Sequence, residues 1–405
     1  MAAALRRTLR VSLSRRHFPA FSTATAVADS AAFSDPVPAA KSAIRSESDP
    51  ERLVSLFESV AHHPSFYGDR TIYRLSVHKL ARRRRPDLIE RLLEGAKSDP
   101  DTPKSEGFLI RLLSLYGDAG MVDHAVRVFE AMPDLGCRRG ERSLCALLSA
   151  FLKNGHVDRL QDAFGRAIEE FGVTPGIASY NVLLRALCSS GKVEEARALL
   201  DEMPNKNVEP DIICYNIVLD GYFKKGDYAE FDEVLKEISK KKVRPNAGTY
   251  NCRIAALCAK GKSSQAEELL YVMKSNRIYP NETSFNTLID GYRKEGDMDS
   301  AMEVFERMKG VKRPDGSGVS PDSSTYITLL QGLVEKGEFV KAAKICKESL
   351  DKNWAPPFET VKALVDGLTK SSQIDEAKDV VARMEKAIRG DARDAWKKIE
   401  EAFSL

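Results

Sequence analysis

Four asparagines, Asn181, Asn216, Asn251 and Asn286, stand 35 residues apart. A side-chain amide carries both a donor and an acceptor, so such a row can bond either a ligand or the ends of helices. Lys153, Lys224, Lys294 and Lys370 share a second position of the same step, where an ammonium can meet a phosphate. Ser189, Ala259 and Glu335 interrupt that row. The densest basic cluster, Arg82-Arg83-Arg84-Arg85, precedes Pro86, so it reads either as a solvated turn or as a phosphate-contact patch. Little else suggests chemistry. The six histidines all lie at or before His156, and His62, His63 and His78 have no Cys or His partner at metal-ligand spacing. The seven cysteines include no CxxC pair. Buried thiols are the simplest reading, and no metal, cofactor or catalytic group is expected.

These residues belong to a repeat. Tyr180, Tyr215, Tyr250 and Phe285 each precede one of the asparagines. Gly191, Gly226, Gly261 and Gly296 keep the 35-residue step, as do Pro210, Pro245 and Pro280. The next step, to Gly337, is 41 residues, with the excess in GVKRPDGSGVS. Alanine forms a second track at Ala125, Ala196, Ala266, Ala301, Ala342 and Ala377. Within 177–211, Tyr180, Leu183, Leu184 and Leu187 show helical spacing, and Ala196, Leu199, Leu200 and Met203 repeat it after Gly191. Proline then bars continuation. Each unit is therefore a helical hairpin of two helices about 18 Å long. One hairpin cannot bury its apolar face alone, so neighbours must stack. The expected fold is all-α, a right-handed α-solenoid of about nine helix-turn-helix repeats, with units starting near 70, 106, 141, 177, 212, 247, 282, 323 and 358.

The first 28 residues hold Arg6, Arg7, Arg10, Arg15 and Arg16 and no acid, with many Ser, Thr and Ala. This reads as an organellar transit peptide, mitochondrial rather than plastid given arginine from position 6; a disordered basic tail is the alternative. Of the 62 Lys+Arg, 57 lie beyond it against 59 Asp+Glu, a balance of −2. Nucleic-acid binding must then come from a local patch. Residues 29–48, rich in Ser, Ala and Pro, read as a flexible linker, 49–69 as an N-terminal capping helix, 70–392 as the repeat array and 393–405 as a helical tail. No stretch is apolar enough to span a membrane.

The segments ASYNVLLRALCSSGKVEEARALLDEMPNKNVEPD and TSFNTLIDGYRKEGDMDSAMEVFERMK resemble the P-type pentatricopeptide repeat nearly along its full length. The tetratricopeptide repeat, with a period of 34 and an early Trp, fits less well. The resemblance covers about residues 70–390 and implies modular reading of single-stranded RNA in a concave groove, about one base per repeat. The family's fifth and last repeat residues share that task. Carried over, the pairs are Asn181 with Asp211, Asn216 with Asn246, Asn251 with Asn281, and Asn286 with Asp322. The helix-cap reading stays open beside it. Of the second residues that flank a base in the family, Ala178, Ile213, Gly248 and Thr283, only Ile213 fits well.

Two RNA functions are implied, with organellar single-stranded RNA or ribosomal RNA as partner and no DNA. One is a factor for a particular mitochondrial transcript. The other is a constituent of the mitochondrial ribosome, with ribosomal proteins as neighbours; SEGFLIRLLSLYGDAGMVDHAVRVFEAMP resembles short P-type members found there. A protein scaffold without RNA is a third reading.

Overall fold

In the computed structural model, residues 35–312 and 316–387 are described. The transit-peptide and tail expectations, 1–28 and 393–405, lie outside them. The chain divides into two compact units, residues 1–76 and 77–405.

The first unit holds α1 (Pro36–Ser46), α2 (Pro50–Glu58) and the start of α3 (Arg70–Arg82). Here the expectation of a flexible linker over 29–48 is corrected, because residues 36–46 are helical. Asp35 caps the helix by accepting from the Val37 N–H at 3.0 Å, and Pro36 sits in the first turn, where a missing N–H costs nothing. Val37, Ala40 and Ile44 make a buried stripe. The prolines that suggested a linker therefore mark a helix start. The expected lone cap is a helix pair, closed by Phe57, whose ring meets Phe66 at 4.7 Å and Tyr73 at 5.1 Å.

The second unit continues with α4 (Pro86–Ser98) and seven helix pairs: α5 and α6 (Glu106–Asp118, Val122–Ala131), α7 and α8 (Glu141–Lys153, Val157–Gly165), α9 and α10 (Ile177–Ser189, Val193–Glu202), α11 and α12 (Ile212–Lys225, Tyr228–Lys240), α13 and α14 (Ala247–Ala259, Ser263–Ser275), α15 and α16 (Glu282–Lys294, Met298–Lys309), α17 and α18 (Ser323–Lys336, Phe339–Asp351). A last pair is α19 and α20 (Phe358–Lys370, Ile374–Ala387). Among the described residues there is no strand, only an isolated antiparallel bridge from Lys312 to Gly318 that closes the six-residue insertion. None of the helices among the described residues is long and apolar enough to cross a membrane.

The recurring residues explain the regularity. Gly226 and Gly337 end their helices at φ 78 and 79, a left-handed turn that glycine adopts without strain. Each first helix from α5 to α17 packs against the next first helix, and each second helix packs beside its own first helix. The second-helix alanines, Ala125, Ala196, Ala266, Ala301, Ala342 and Ala377, are fully buried where helices approach. A further small-residue track lies on the first helices: Ala150, Ala186, Gly221, Ala256, Gly291, Gly332 and Gly367, all buried. From Tyr250 to Met384 one apolar core runs through successive repeats. This is an α-solenoid, built by neighbour contacts.

Candidate nucleic-acid interface

In α9, α11, α13 and α15 an aromatic residue and an asparagine are adjacent, so a turn of about 100° separates them. Tyr180, Tyr215, Tyr250 and Phe285 face inward and are buried. Asn181, Asn216, Asn251 and Asn286 stand half-buried beside them.

The last residue of each unit is the N-cap of the next first helix. Asp211 accepts from the Ile213 and Cys214 N–H groups at 2.9 and 3.0 Å, and Asn246 from Thr249 at 3.1 Å. Asn281 accepts from Ser284 at 3.1 Å and Asp322 from Thr325 at 2.9 Å. Capping is therefore real, and it coexists with pairing. Asn216 Nδ2 donates to Asn246 Oδ1 at 2.9 Å, Asn251 Nδ2 to Asn281 Oδ1 at 3.2 Å, and Asn286 Nδ2 to Asp322 Oδ1 at 3.2 Å. Three of the four pairs are joined across neighbouring repeats. The fourth is different: Asn181 Oδ1 accepts instead from the Cys214 thiol, at 3.2 Å. Burial resists the charge of Asp322, but hydrogen bonds from Thr325 and Asn286 outweigh it and hold the carboxyl below its usual range.

Around Asn216 the site is an open cleft of about 490 Å³ between first helices. Ile213, Asn216, Asp220 and Lys224 line it from α11, Arg185 and Ser189 from α9, and Cys252 from α13. Ile213 is 44% exposed, the one aliphatic second-position residue offered to a flat ligand. Asn216 and Lys224 are eight residues apart on one helix, roughly 12 Å along its axis.

The lysine row is more nearly neutral than the lysines alone suggest. Lys153 bonds Asp118 at 2.6 Å, Lys224 pairs with Asp220 at 2.7 Å and Lys294 with Asp290 at 2.8 Å. All three lysines remain well exposed, and Lys370 is exposed as well. Such surface pairs are worth about 0–1 kcal/mol and yield readily to a phosphate. Arg82, Arg83 and Arg84 are exposed, whereas Arg85 stands at the N-cap position of α4 and pairs with Asp87 at 2.7 Å. Among the described residues no cluster is placed to hold a metal ion, and all seven cysteines are free thiols.

Sequence reasoning missed the carboxylates beside the lysines, Arg185, and the hydroxyls of Thr249, Ser284 and Thr325 beneath the asparagines. The hydroxyls were legible as another track keeping the repeat register, with steps of 35 and then 41 residues. It also missed a cleft of about 550 Å³ between second helices and the insertion, lined by Tyr271, Lys274, Tyr279, Arg307 and Lys312.

Stacked helix pairs, three of whose junctions carry a joined polar pair at the same register, define a helical-repeat protein. Residues 175–221, 210–258, 245–294 and 280–335 match the PPR repeat family, and 111–137 and 359–387 match the PPR repeat. The chain is similar to three proteins of Arabidopsis thaliana. Small ribosomal subunit protein mS78 (rPPR3a) is 36% identical over 51% of this chain and 53% of its own. Small ribosomal subunit protein mL103 (rPPR7) is 32% identical over 90% and 87%. A mitochondrial pentatricopeptide repeat-containing protein is 31% identical over 95% and 90%. The chain spans about half the length of mS78 and of its relative mS79. Among solved structures, maize PPR10 aligns over 86% of this chain and 57% of that one, at 20% identity and TM-score 0.46. Yeast Rmd9p in complex with a 16nt target RNA aligns over 91% and 93%, at 12% identity and TM-score 0.40. The chain belongs to the pentatricopeptide-repeat family.

Proposed function

We propose that this chain is a non-catalytic mitochondrial RNA-binding protein that holds single-stranded RNA along its first helices. The observation that carries this is the repeated asparagine pair, bonded across neighbouring repeats beside an open cleft that also holds Lys224. Each amide keeps one N–H and one lone pair for a base edge. The lysines and Arg82–Arg84 supply phosphate contacts, which set affinity without reading sequence. Four reading positions make a short site, since stacking contributes only ~1–3 kcal/mol per base. The mitochondrial assignment draws on the basic, acid-free leader and on the mitochondrial relative.

A second reading, membership of the mitochondrial ribosome, is favoured by the ribosomal names of mS78 and mL103, the latter similar over most of both chains. The two readings separate experimentally. The first predicts that purified protein prefers strands containing 5′-U-Y-Y-U-3′ (Y a pyrimidine) over purine strands. Replacing Asn216 and Asn251 together relaxes that preference, while replacing Lys224 and Lys294 weakens all strands alike and flattens the salt dependence. The ribosomal reading predicts poor discrimination among short strands with stable co-sedimentation with a ribosomal subunit. Absence of both RNA binding and co-sedimentation would sink both readings and leave the protein scaffold.

A further inference from the structure

We propose that the buried hydroxyls of Thr249, Ser284 and Thr325 are positioning residues for base reading, fixing which way the amides of Asn216, Asn251 and Asn286 face. This deepens, and rests on, the base-reading role above.

A backbone N–H can only donate, so the Asn246 atom that accepts from the Thr249 N–H at 3.1 Å is its oxygen. The Asn216 atom 2.9 Å from that oxygen must then be a donor, Nδ2. The amide's other end is therefore Oδ1, and it accepts from Thr249 Oγ1 at 2.8 Å. That hydroxyl accepts in turn from the Asn246 N–H at 3.2 Å, so its proton is directed away from the cap nitrogen. The hydroxyl also lies 3.3 Å from Asn246 Oδ1, the longer of its two oxygen contacts.

The same closed set recurs twice. Ser284 Oγ donates to Asn251 Oδ1 at 2.6 Å and accepts from the Asn281 N–H at 3.2 Å. Thr325 Oγ1 donates to Asn286 Oδ1 at 2.6 Å and accepts from the Asp322 N–H at 3.1 Å. In the last case the pKa of Asp322 is lowered, so the ionised carboxylate can only accept, which again forces the Asn286 nitrogen toward it. All three hydroxyls are essentially inaccessible, so water cannot take their place. Turning any of these amides over would set oxygen against oxygen at the cap, and the hydroxyl would have to turn its proton from the amide oxygen to the cap oxygen, 3.3 Å from Thr249 and 3.0 Å from Ser284 and Thr325. The order of donor and acceptor shown to a base is thus set by the helix N-cap and held by the hydroxyl on the amide's other end.

Asn181 lacks this lock. Its following repeat offers Cys214, whose thiol is a weaker donor at 3.2 Å. Base discrimination is therefore strict at Asn216, Asn251 and Asn286 and loose at Asn181.

The test uses the full chain, purified Thr249→Val, Thr249→Ser and Cys214→Ser variants, and single-stranded 5′-UCCU-3′ with a purine placed at one position at a time, at one salt concentration. Thr249→Val is expected to lose pyrimidine-over-purine discrimination at the base facing Asn216 alone, by roughly two- to tenfold, as one neutral hydrogen bond allows. Thr249→Ser keeps it. Cys214→Ser gains discrimination at the base facing Asn181, a result that a misfolded variant could not mimic. A Thr249→Val protein that discriminates like the parent, or that weakens equally at every position with a lower melting temperature, overturns the lock and leaves base reading standing. A parent chain without any pyrimidine preference overturns base reading, and the lock with it.

Discussion

At the scale of single residues, burial decides what the polar and thiol groups can do. Cys346 is buried and Cys188 and Cys252 are half-buried at the cleft wall, and desolvation pushes each thiol up to about 12. The Cys214 thiol is pushed to the same region by burial first, which keeps it protonated and able to donate to Asn181. Thiolate is the reactive form, so these cysteines should be inert in the native protein. Titration with a thiol reagent at pH 8 should show slow reaction for all four in buffer and rapid reaction in denaturant. Equally fast labelling in both would contradict the packing. The sign for stability follows. A thiol near 8.5 in the unfolded chain ionises there first, so stability is full below about pH 8.5 and declines as pH rises toward the folded values.

Among elements, the decisive quantity is how closely neighbouring helices approach. A Cβ at Gly291 would fall within bonding-like range of Cys258 Sγ and 2.6 Å from Ser263 Oγ, so α15 can lie against the preceding pair only without one. Gly291→Ala gains up to about 1 kcal/mol of helix propensity, but overpacking at ~1–3 kcal/mol outweighs it. A lower melting temperature is expected, with partial recovery on adding Cys258→Ala; additive loss would mean the two sites are not in contact. The opposite case is Ser372, which fills the glycine position after α19 at φ 62. A non-glycine residue there is strained, so Ser372→Gly should raise stability by about 0.5–1 kcal/mol after the entropic penalty of glycine. Chemical denaturation would register either sign. Arg84 fills the matching position of the first repeat at φ 54, which gives the degenerate ends of the array a local physical meaning.

Across the whole molecule, successive layers are tied by carboxylates. Glu237 accepts from Tyr215 at 3.0 Å and pairs with Lys241 at 2.7 Å and with Arg197. Burial raises its pKa, yet Lys241, Tyr215 and Arg197 together hold it below its usual range. Asp290, likewise desolvated but paired within its own helix, is held low by Lys294 and Arg293. Groups with depressed folded values stabilise above their unfolded values of about 3.9 and 4.3 and lose that contribution as pH falls through the folded ones. Thermal melts followed by far-ultraviolet circular dichroism should therefore be level from pH 5 to 7 and fall steeply below about pH 4. Glu237→Gln should start lower and show a shallower acid drop. A melting temperature indifferent to pH 3 would show that these contacts carry no stability.

The sequence by itself determined the helical hairpin, its period and the register of the asparagines, because apolar spacing, left-handed glycines and barring prolines are local properties that repeat. It also showed which residues share a position, and so which could form a row. It left open whether Asn246 or Asn281 caps a helix or faces a ligand, since both roles need the same amide at the same place. Stacking settled that they cap the helix and meet the preceding repeat's asparagine at once. The acids beside Lys153, Lys224 and Lys294 were visible as letters, yet their effect depends on distances between side chains. Prolines 36 and 38 misled for the same reason: composition suggests a linker, and only a buried stripe at Val37, Ala40 and Ile44 makes a helix there worth its entropy.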